Sequence, residues 1–361
     1  MHLALVISSL TSGGAERVLS ELANHWVSKG HKVSFITFAT SVAVPFYSLD
    51  SKINLIQLDQ SQHTSSPLKR FLNSFKRILV LRKTLQQLTP DRIVSFVDIT
   101  NITTLISSIG IKTPVVVSER IDPNFHKIPP FYAWLRLKVY PLCSKLIVQT
   151  TNAATYFPKQ FNQCIEIIPN PVSPPVIEKK DYAQRITSIV SIGRLEQQKD
   201  HKTLIRSLSR LLKTHPDLTL TIYGEGRERK NLETLITSLA LQDKIHLPGT
   251  THNIQEALLN ADLFVFPSHY EGFPNALCEA MAVGLPVIAS NCSGTTDILR
   301  DGIDGRLFPI GDVGALTKIA LELLEDPVQS RALGTRAKEV SVRFSPTRIF
   351  ALWDNILEEI L

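Results

Sequence analysis

Short apolar runs alternate with helix-like patterns along the chain, and this rhythm constrains the fold more than any other feature of the sequence. The first half contains the apolar runs LALVISSL, KVSFITF, RIVSF, PVVVS and KLIVQT, and a helical pattern over residues 15–29 follows the first of them. Strands that are apolar throughout are typical of a parallel sheet covered by helices on both faces. The sequence therefore predicts an α/β fold of βαβ units, as in a Rossmann-like domain.

A proline-rich segment divides this rhythm into two parts. The stretch IIPNPVSPPVIEKK, residues 167–180, contains four prolines and can continue neither a helix nor a central strand. After it the alternation restarts with SIVSIGRL, LTLTIYGEG, KIHLPG, ADLFVFPS and PVIAS. A chain of 361 residues is also long enough for two domains of ordinary size. We therefore predict one Rossmann-like domain over 1–170, a second over 171–345 and a terminal amphipathic helix over 346–361.

Composition excludes several classes of protein. With 43% hydrophobic and 20% charged residues, the chain is neither intrinsically disordered nor fibrous. The most apolar stretch, residues 93–117, is interrupted by Asp98, Asn101, Gly110 and Lys112, which argues against a transmembrane helix. The four cysteines form no CxxC motif and have no zinc-binding spacing with histidine. We expect reduced thiols, a cytoplasmic protein and no bound metal.

The positive charge of the chain is concentrated in its first half. Residues 1–170 carry 18 Lys and Arg against 9 Asp and Glu, whereas residues 171–361 carry 21 against 24. A basic domain beside a mildly acidic one indicates that the first half binds something anionic, either a phosphorylated lipid surface or a nucleic acid. No zinc finger, basic zipper or RNA-binding signature accompanies the basic residues, and we therefore favour a lipid.

Two basic segments of the first half have the pattern of membrane-surface helices. Residues 67–85, PLKRFLNSFKRILVLRKTL, set cations that begin with Lys69 and Arg70 against Leu and Phe at helical spacing. Such a helix can lie on anionic lipid or bind a lipid-linked phosphate, although a core-packed helix with a solvated outer face has the same pattern. Residues 126–140 interleave aromatic and basic residues, as at a membrane interface.

Ligands of open α/β sheets bind beyond the carboxyl ends of the strands, so the residues after each apolar run are candidates for chemistry. The first strand of the second half is followed by GRLEQQKD, in which Arg194 and Lys199 flank a strand-to-helix turn. Arg194 can form paired hydrogen bonds with phosphate oxygens and Lys199 adds a point charge, a combination that suits a diphosphate. Two solvated surface charges are the simpler alternative.

The strongest motif is the segment SHYEGFPNALCEAMA, residues 268–282, which follows the apolar run LFVFP. Gly272 belongs to a predicted loop, and a helix is expected to begin near Asn275 with its first amides open to phosphate oxygens. Glu279, about one turn into that helix, is placed to reach ribose hydroxyls, and Glu271 would face the sugar instead. The helix dipole alone would also account for Glu279.

The turn after the first strand of the chain is a weaker candidate. It contains SGGAER, in which Gly13 and Gly14 precede a helix that contains Arg17. Glycines let a backbone approach a ligand closely, and the amides at the start of a helix can bind an anion. An ordinary tight turn would have a similar sequence.

Together these motifs resemble family 4 of the glycosyltransferases, a group with the GT-B fold whose second domain carries a GRL-x-x-x-K-D turn and an E-G-F-x-x-x-x-x-E loop. The resemblance extends over essentially the whole chain. It includes the GGAER start, the YGEG turn with Gly224, the LPG turn that ends at Gly249, and the pair Glu271 and Glu279. It implies two Rossmann-like domains that face a crevice, an acceptor-binding first domain, a nucleotide-sugar-binding second domain, and a C-terminal helix that packs back on the first.

The resemblance implies transfer of a sugar from a nucleoside diphosphate sugar with retention of configuration and without a metal or other cofactor. No Asp-x-Asp motif is present to hold a divalent cation, so Arg194 and Lys199 would neutralise the leaving diphosphate. Glu271, Arg194 and Lys199 are the expected catalytic residues. The implied donor-binding residues are Gly14, Arg194, Lys199, Gly224, Gly249, Glu271, Gly272, Phe273, Asn275, Ala276, Leu277 and Glu279.

The acceptor side departs from the family pattern. Several members carry a histidine at a strand end of the first domain, where this chain has Ser118, Glu119 and Arg120. Glu119 or Arg120 is placed to orient the acceptor instead, but a surface ion pair between them accounts for the sequence equally well. The candidate acceptor-binding residues are Gly13, Arg17, Ser118, Glu119, Arg120, Lys69 and Arg70.

By resemblance we expect a UDP-linked N-acetylhexosamine or hexose as donor and a hydroxyl of a lipid-linked glycan as acceptor. The enzyme would act in glycan biosynthesis on the inner face of the plasma membrane, held to anionic lipid by its basic first domain and without a nucleic-acid partner. Two alternatives are another GT-B enzyme, an epimerase or a phosphorylase, and a non-catalytic module that binds sugar nucleotides or lipids. A non-catalytic module would be expected to lack Arg194, Lys199 or Glu271, and all three are present.

Overall fold

The computed structural model describes residues 1–40, 42–60, 67–161, 163–176, 185–251 and 253–360, with the side chains of 67–71 outside the description. These residues form two compact units. The first unit comprises Met1–Asn170 and Ile349–Leu361, and the second comprises Pro171–Arg348. Within the described ranges, no helix combines the length and the apolar character needed to cross a membrane.

The first unit is built on a seven-stranded parallel sheet. Its strands are β1 (His2–Ile7), β2 (Lys32–Thr37), β3 (Asn54–Gln57), β4 (Arg92–Phe96), β5 (Val115–Ser118), β6 (Lys145–Val148) and β7 (Ile165–Ile167). They lie in the order β3-β2-β1-β4-β5-β6-β7, and every neighbouring pair is parallel. All residues of β4 and β5 are buried, as expected for β-branched and apolar runs at the centre of a doubly covered sheet.

Helices cover both faces of this sheet. They are α1 (Gly14–Ser28), α2 (Pro67–Leu88), α3 (Asp98–Ser107), α4 (Pro130–Val139) and the short α5 (Thr151–Ala154). The α2 helix packs on α3, and α3 packs on α4. Leu81 and Leu85 of α2 are fully buried, so this helix contributes one face to the core. The predicted helix over 67–85 is confirmed, with three further residues at its end.

The second unit repeats the plan with six parallel strands. They are β8 (Ser188–Ile192), β9 (Thr219–Tyr223), β10 (Ile245–Gly249), β11 (Leu263–Phe266), β12 (Val287–Ser290) and β13 (Arg306–Phe308), in the order β10-β9-β8-β11-β12-β13. Its helices are α6 (His201–Leu211), α7 (Arg229–Ser238), α8 (Ile254–Leu259), α9 (Asn275–Val283), α10 (Val313–Glu325), α11 (Pro327–Ala337) and α12 (Val340–Arg343). The predicted α/β class with two Rossmann-like parallel sheets is confirmed.

The last helix, α13 (Pro346–Glu359), belongs to the first unit from Ile349 onward. The fully buried Trp353 packs its ring 5.5 Å from that of Phe96 and 6.4 Å from that of Trp26, measured between centroids. Asp354 accepts hydrogen bonds from Trp26 Nε1 at 3.0 Å and from the Lys29 ammonium at 2.7 Å. Residues separated by more than half the chain therefore complete one core.

Candidate active site

The second sheet reverses its strand order between β8 and β11, and several predicted donor residues lie at this point. The chain leaves these two central strands toward opposite ends of the sheet, so their carboxyl ends border a crevice. Lys199 follows β8 and Glu271 follows β11, and the two residues are 72 positions apart in the chain. The strand order therefore brings two residues that are distant in the sequence close together in space.

Lys199 and Glu271 form a largely buried ion pair. The Lys199 ammonium lies 2.6 Å from Glu271 Oε1 and 4.9 Å from the ring centroid of Phe266, the last residue of β11. The exposed fraction is 14% for the Lys199 side chain and 8% for that of Glu271. A charge so far removed from water needs a partner, and each group supplies one for the other. The residues assigned from sequence to the diphosphate and to the sugar are therefore paired with each other.

Hydrogen bonds between the strand-end loops hold this pair in place. Gln198 donates from Nε2 to the Tyr270 carbonyl at 2.7 Å, and its own carbonyl accepts from the His269 amide at 2.8 Å. The Glu271 amide donates to the carbonyl of Ser293, which follows β12, at 3.1 Å. Sequence reasoning missed the role of Gln198, because a glutamine in a polar turn carries no pattern of its own.

Arg194 differs from Lys199 in its surroundings. It is exposed, and its guanidinium makes no hydrogen bond or ion pair with any residue in the described ranges. A guanidinium directed into water is available for a phosphate, which is the predicted role, and a solvated surface charge would look the same. Lys199 is therefore paired with a carboxylate, whereas Arg194 is open to solvent.

Three glycines bring the turns after β8, β9 and β10 into backbone contact. The Gly224 amide donates to the Gly249 carbonyl at 2.8 Å, and the Gly193 amide donates to the Tyr223 carbonyl at 2.9 Å. Gly224 has φ +150°, and a Cβ there would collide with the carbonyl of Gly193. Only glycine fits such an approach. Gly224 therefore packs against the turn that carries Arg194, and Gly249 is hydrogen-bonded to Gly224.

The predicted helix at Asn275 is confirmed as α9, and Gly284, with φ +92°, caps its C-terminus. Gly272 and Phe273, just before it, are buried. The Asn275 amide donates to the Phe273 carbonyl at 3.0 Å and is engaged in the loop. Among the described residues, nothing accepts from the amides of Ala276 and Leu277. Of the first amides of α9, those of Ala276 and Leu277 are therefore open and that of Asn275 is not. The partly buried Glu279 lies in the next turn.

His201, the first residue of α6, lies buried beside Lys199 and was not singled out from the sequence. Burial first, and then the charge of Lys199, lowers the pKa of His201 to about 4, so the imidazole is neutral near pH 7. It borders a cavity of about 110 Å³ whose lining includes Glu196, Asp200 and Glu228. The lining also includes Lys202, whose ammonium pairs with Glu228.

In the first unit, Glu119 faces the core. Its Oε1 accepts from the Tyr140 hydroxyl at 2.5 Å and lies 3.5 Å from Nη1 of the buried Arg136. Burial raises the pKa of Glu119 to about 7, with a further contribution from nearby Asp98, while Arg136 and Tyr140 oppose the rise. The alternative of a surface pair between Glu119 and Arg120 is therefore wrong, because the buried Arg136 is the partner.

Arg120 is held by three different groups. Its Nη1 donates to the Ser118 hydroxyl at 3.2 Å, its Nη2 donates to the Asn170 side-chain oxygen, and its guanidinium lies 4.5 Å from the ring centroid of Phe96. Burial lowers the pKa of Arg120 to about 9. The side chain is fixed at the carboxyl end of β5, where the acceptor role was predicted, and that role stays a prediction.

The remaining first-unit candidates are placed as follows. Gly13 caps α1 and Gly14 is its first residue, so Gly14 belongs to a different unit from the other predicted donor residues. The Glu16 carboxylate lies against Gly13 and accepts from the Thr11 hydroxyl at 3.2 Å. Arg17 lies 3.7 Å from Glu21. Lys69 and Arg70 belong to α2, but their side chains lie outside the described residues.

In the ranges that the structure describes, no group of three or more His, Cys, Asp or Glu side chains is arranged to hold a metal ion. Arg194 and Lys199 supply positive charge to the candidate site of the second unit. They suit a diphosphate, whose negative oxygens a protein must balance with metal ions or with its own cations.

Two family profiles match the chain and together cover most of it. The profile described as Glycosyltransferase Family 4 matches residues 12–174, and the profile described as Glycosyl transferases group 1 matches residues 177–340. The two matched segments correspond closely to the two units of the structure.

Similar proteins include two transferases of Campylobacter jejuni. One is the GalNAc-alpha-(1->4)-GalNAc-alpha-(1->3)-diNAcBac-PP-undecaprenol alpha-1,4-N-acetyl-D-galactosaminyltransferase, 29% identical over 100% of this chain and 99% of the relative. The other, N-acetylgalactosamine-N,N'-diacetylbacillosaminyl-diphospho-undecaprenol 4-alpha-N-acetylgalactosaminyltransferase, is 28% identical over 96% of each chain. Among solved structures, Anabaena HepE in complex with UDP has a TM-score of 0.78 at 18% identity, covering 99% of this chain and 100% of that one. The structural similarity shows the shared fold.

Proposed function

The chain belongs to family 4 of the glycosyltransferases, retaining enzymes of the GT-B fold that need no metal, and on this premise we propose that it transfers a sugar from a UDP-sugar to a hydroxyl of a lipid-linked glycan. The observation that carries the proposal is the buried pair of Lys199 and Glu271 at the point where the second sheet reverses its strand order. Family membership favours this transfer over the epimerase, phosphorylase and binding-module alternatives.

In this proposal, the diphosphate of the donor displaces Glu271 from Lys199 when it binds. A diphosphate offers Lys199 a doubly charged partner, and Arg194 is open to the same group. When Lys199 turns to the diphosphate, the Glu271 carboxylate becomes an acceptor for sugar hydroxyls. Glu279 and the amides of Ala276 and Leu277 then bind the ribose and a phosphate oxygen in our proposal.

Catalysis in this scheme consists of positioning and charge stabilisation. The acceptor hydroxyl approaches the face of the sugar that the diphosphate leaves, and its proton passes to a leaving phosphate oxygen. The bond from the anomeric carbon to that oxygen breaks as the new glycosidic bond forms, so configuration is retained. Arg194 and Lys199 stabilise the negative charge that develops on the departing UDP.

The donor and acceptor classes are proposed from the similar proteins. Both Campylobacter relatives are named as N-acetylgalactosaminyltransferases that act on diphospho-undecaprenol glycans. HepE was solved with UDP. We propose UDP-N-acetylhexosamine as the donor and an undecaprenyl diphosphate glycan as the acceptor.

A lipid acceptor requires contact with a membrane, and the first unit has a surface suited to one. We call this the α2–α4 surface, and its apolar residues, each at least half exposed, are Leu72, Phe75, Leu79, Phe131 and Trp134. A hydrogen bond of 3.1 Å between the Ser74 and Tyr132 hydroxyls joins the two helices. The exposed Lys76 and Lys83 share the α2 face of Leu72 and Leu79 by helical spacing. Aromatic and basic groups together favour the anionic inner face of the plasma membrane.

The donor class is tested by thermal unfolding of the protein with a panel of UDP- and GDP-sugars. A ligand that binds only the folded protein raises the midpoint, so UDP-N-acetylhexosamines are expected to protect and GDP-sugars are not. Transfer is then measured with the protective donor and a GalNAc-terminated undecaprenyl diphosphate glycan. Protection by GDP-sugars alone would overturn the proposed donor, and hydrolysis without product glycan would overturn the acceptor.

A further inference from the structure

Asp98 and His126 form a polar pair at the carboxyl edge of the first sheet that the proposed donor chemistry does not use. Asp98 begins α3 directly after β4, and His126 lies in the loop after β5. The His126 Nε2 lies 3.4 Å from Asp98 Oδ2. The first sheet reverses its strand order between β1 and β4, so Asp98 lies at the switch point of this sheet.

The Asp98 carboxylate is buried more deeply than a helix cap requires. The residue is 5% exposed, and its Oδ1 already accepts from the Ile99 amide at 2.6 Å. Its Oδ2 is buried without a well-formed hydrogen bond, and the His126 ring is the group that faces it. A buried carboxylate oxygen in this state is costly unless something directs a donor toward it.

The backbone beside Asp98 is strained. Val97 has φ +76°, a conformation that costs a β-branched residue free energy. It is held there because its amide donates to the Ser118 carbonyl at 3.1 Å and its carbonyl accepts from the Asn101 amide at 2.8 Å. Two hydrogen bonds therefore fix the backbone immediately before Asp98.

The loop that carries His126 is also fixed. The His126 amide donates to the carbonyl of Asp122, a residue that is fully buried. The Asp122 carboxylate accepts from the Asn124 amide at 2.9 Å and from the Asn152 side chain at 2.7 Å. Both members of the pair are therefore positioned by the fold, while the His126 side chain stays partly exposed, at 40%.

We propose that His126, oriented by Asp98, accepts a hydrogen bond from a hydroxyl of the sugar acceptor through its Nδ1. In the neutral imidazole, the Nε2 that faces the Asp98 carboxylate carries the ring proton, and Nδ1 is left as a lone-pair acceptor. Within the described residues, nothing hydrogen-bonds to Nδ1 of His126. A lone-pair acceptor suits a ligand that donates a proton, so the ligand is a neutral hydroxyl and not the lipid diphosphate, whose ionised oxygens only accept.

In this proposal His126 touches the substrate, and Asp98 is a positioning residue that acts through it. The inference rests on the proposed function, because it assigns a sugar hydroxyl to the acceptor-binding unit. No proton is transferred to His126, since the leaving phosphate takes the hydroxyl proton. The hydrogen bond orients the oxygen for attack.

Two substitutions separate the two ring nitrogens. His126→Asn keeps an acceptor near the Nδ1 position, whereas His126→Gln keeps a donor near Nε2 and loses that acceptor. With UDP-N-acetylgalactosamine and the GalNAc-terminated undecaprenyl diphosphate glycan, His126→Gln is expected to lower kcat/KM for the acceptor about tenfold or more. His126→Asn and Asp98→Asn are expected to lose less. UDP binding and hydrolysis of the donor by water stay at the wild-type level.

His215→Asn is the matched control, because His215 lies in the second unit, before the amino end of β9 and away from the carboxyl ends of the strands. Wild-type acceptor kinetics in His126→Gln would overturn the inference, and so would an equal loss in both His126 variants. If the unmodified protein transfers no sugar at all, the proposed function fails first, and the two failures are thereby distinguished.

A measurement that needs no turnover tests which ring nitrogen of His126 carries the proton and whether the glycan contacts Nδ1. Nitrogen-15 spectra of the imidazoles, assigned by the His126→Asn difference, are expected to show a protonated Nε2 and an unprotonated Nδ1. Adding the same glycan is expected to shift the Nδ1 signal in the wild type and less in Asp98→Asn. A protonated Nδ1, or no shift with saturating glycan, would overturn the inference.

Discussion

The ammonium of Lys199 lies 2.6 Å from the carboxylate of Glu271, although the two residues leave different strands of the second sheet. Because Glu271 pairs with Lys199, a diphosphate that binds this ammonium competes with the carboxylate. Both residues lie in strand-end loops that are tied by backbone hydrogen bonds. The competition therefore involves side chains on loops whose backbones are already held in place, as preorganised charge stabilisation requires.

The first prediction concerns activity. Lys199→Ala and Glu271→Ala are each expected to lower kcat roughly a hundredfold or more, because each removes a group that stabilises or positions the transition state. Lys202→Ala, which removes a cation three positions away and paired with Glu228, is the control and should keep transfer. Release of UDP in the presence of acceptor is the measurement. Full activity in either site variant, with unchanged circular dichroism, would sink the site assignment.

The second prediction concerns stability. Removing one partner leaves a largely buried charge alone, and such a loss is roughly 3–5 kcal/mol for a fully buried pair. Lys199→Met combined with Glu271→Gln leaves no uncompensated charge and is expected to unfold at a higher temperature than either single variant. Calorimetry of all four proteins closes the cycle. Additive losses would mean that the two groups do not interact in solution.

The third prediction concerns the backbone contact at Gly224. Gly224→Ala places a Cβ against the Gly193 carbonyl and should displace the turn that carries Arg194. We expect weakened UDP binding together with a lower unfolding temperature. Gly302→Ala is the matched control, since Gly302 also has a positive φ of +72° but an added Cβ there meets nothing within 4 Å. Titration calorimetry should give a lower UDP affinity for Gly224→Ala than for Gly302→Ala, and equal affinities would contradict the prediction.

The fourth prediction concerns the α2–α4 surface. Lys76→Gln with Lys83→Gln is expected to weaken binding to phosphatidylglycerol vesicles about tenfold or more, because each cation near an anionic surface contributes about 1 kcal/mol. Phe75→Ser with Trp134→Ser should weaken it further. Arg82 is left unchanged, since it donates to the Ser107 carbonyl at 3.1 Å.

Sedimentation with vesicles measures this binding. The matched control removes the same charge from the exposed residues Lys52 and Lys112 of the same unit. If the control and the α2 variant sediment alike, net charge and not this surface determines the binding. Binding equal to the wild type in every variant would exclude the membrane proposal.

The fifth prediction concerns pH. Burial opposes ionisation of Asp354, but hydrogen bonds from Lys29, His25 and Trp26 outweigh it and lower the pKa of this carboxyl. A carboxyl with a lowered folded-state pKa stabilises the fold above its unfolded pKa, about 3.9, and loses that contribution as the pH falls further. Asp354→Asn is expected to cost about 2 kcal/mol near neutral pH and progressively less below about pH 4.

Urea unfolding followed by tryptophan fluorescence tests this, because the three tryptophans of the chain, Trp26, Trp134 and Trp353, all lie in the first unit. A difference between the two proteins that stays constant down to acid pH would contradict the assignment. Asp312→Asn, at the start of α10 in the second unit, is a control that this fluorescence should not register.

Much of the fold was predictable because its signals are local. The runs that became β8 and β11 are apolar and bounded by glycine or proline, and the start of α9 at Asn275 follows from the loop before it. The contact between Lys199 and Glu271 was not predictable from either motif. It depends on β8 lying beside β11, and strand order is a property of the whole sheet that no periodicity of one segment encodes.

The burial of Glu119 was also not predictable from the local sequence. A charged residue after an apolar run suggests a surface position or a ligand. It faces the core here only because Arg136 and Tyr140, on a helix and turn that follow, supply a cation and a hydroxyl. The pair of Asp98 and His126 was equally hidden, since Asp98 begins α3, His126 lies in the loop after β5, and the two share no motif.

The placement of α13 in the first unit affects how the protein is made. During translation, Trp353 and Asp354 are added only after residues 171–348, so the first unit cannot complete its core until the second unit has been synthesised. Until then Phe96 and Trp26 have an uncovered apolar flank. The unit encoded first therefore stays incomplete until the end of the chain is made, and a ribosome stalled before residue 349 would hold a chain whose first unit is open to chaperones and proteases on that flank.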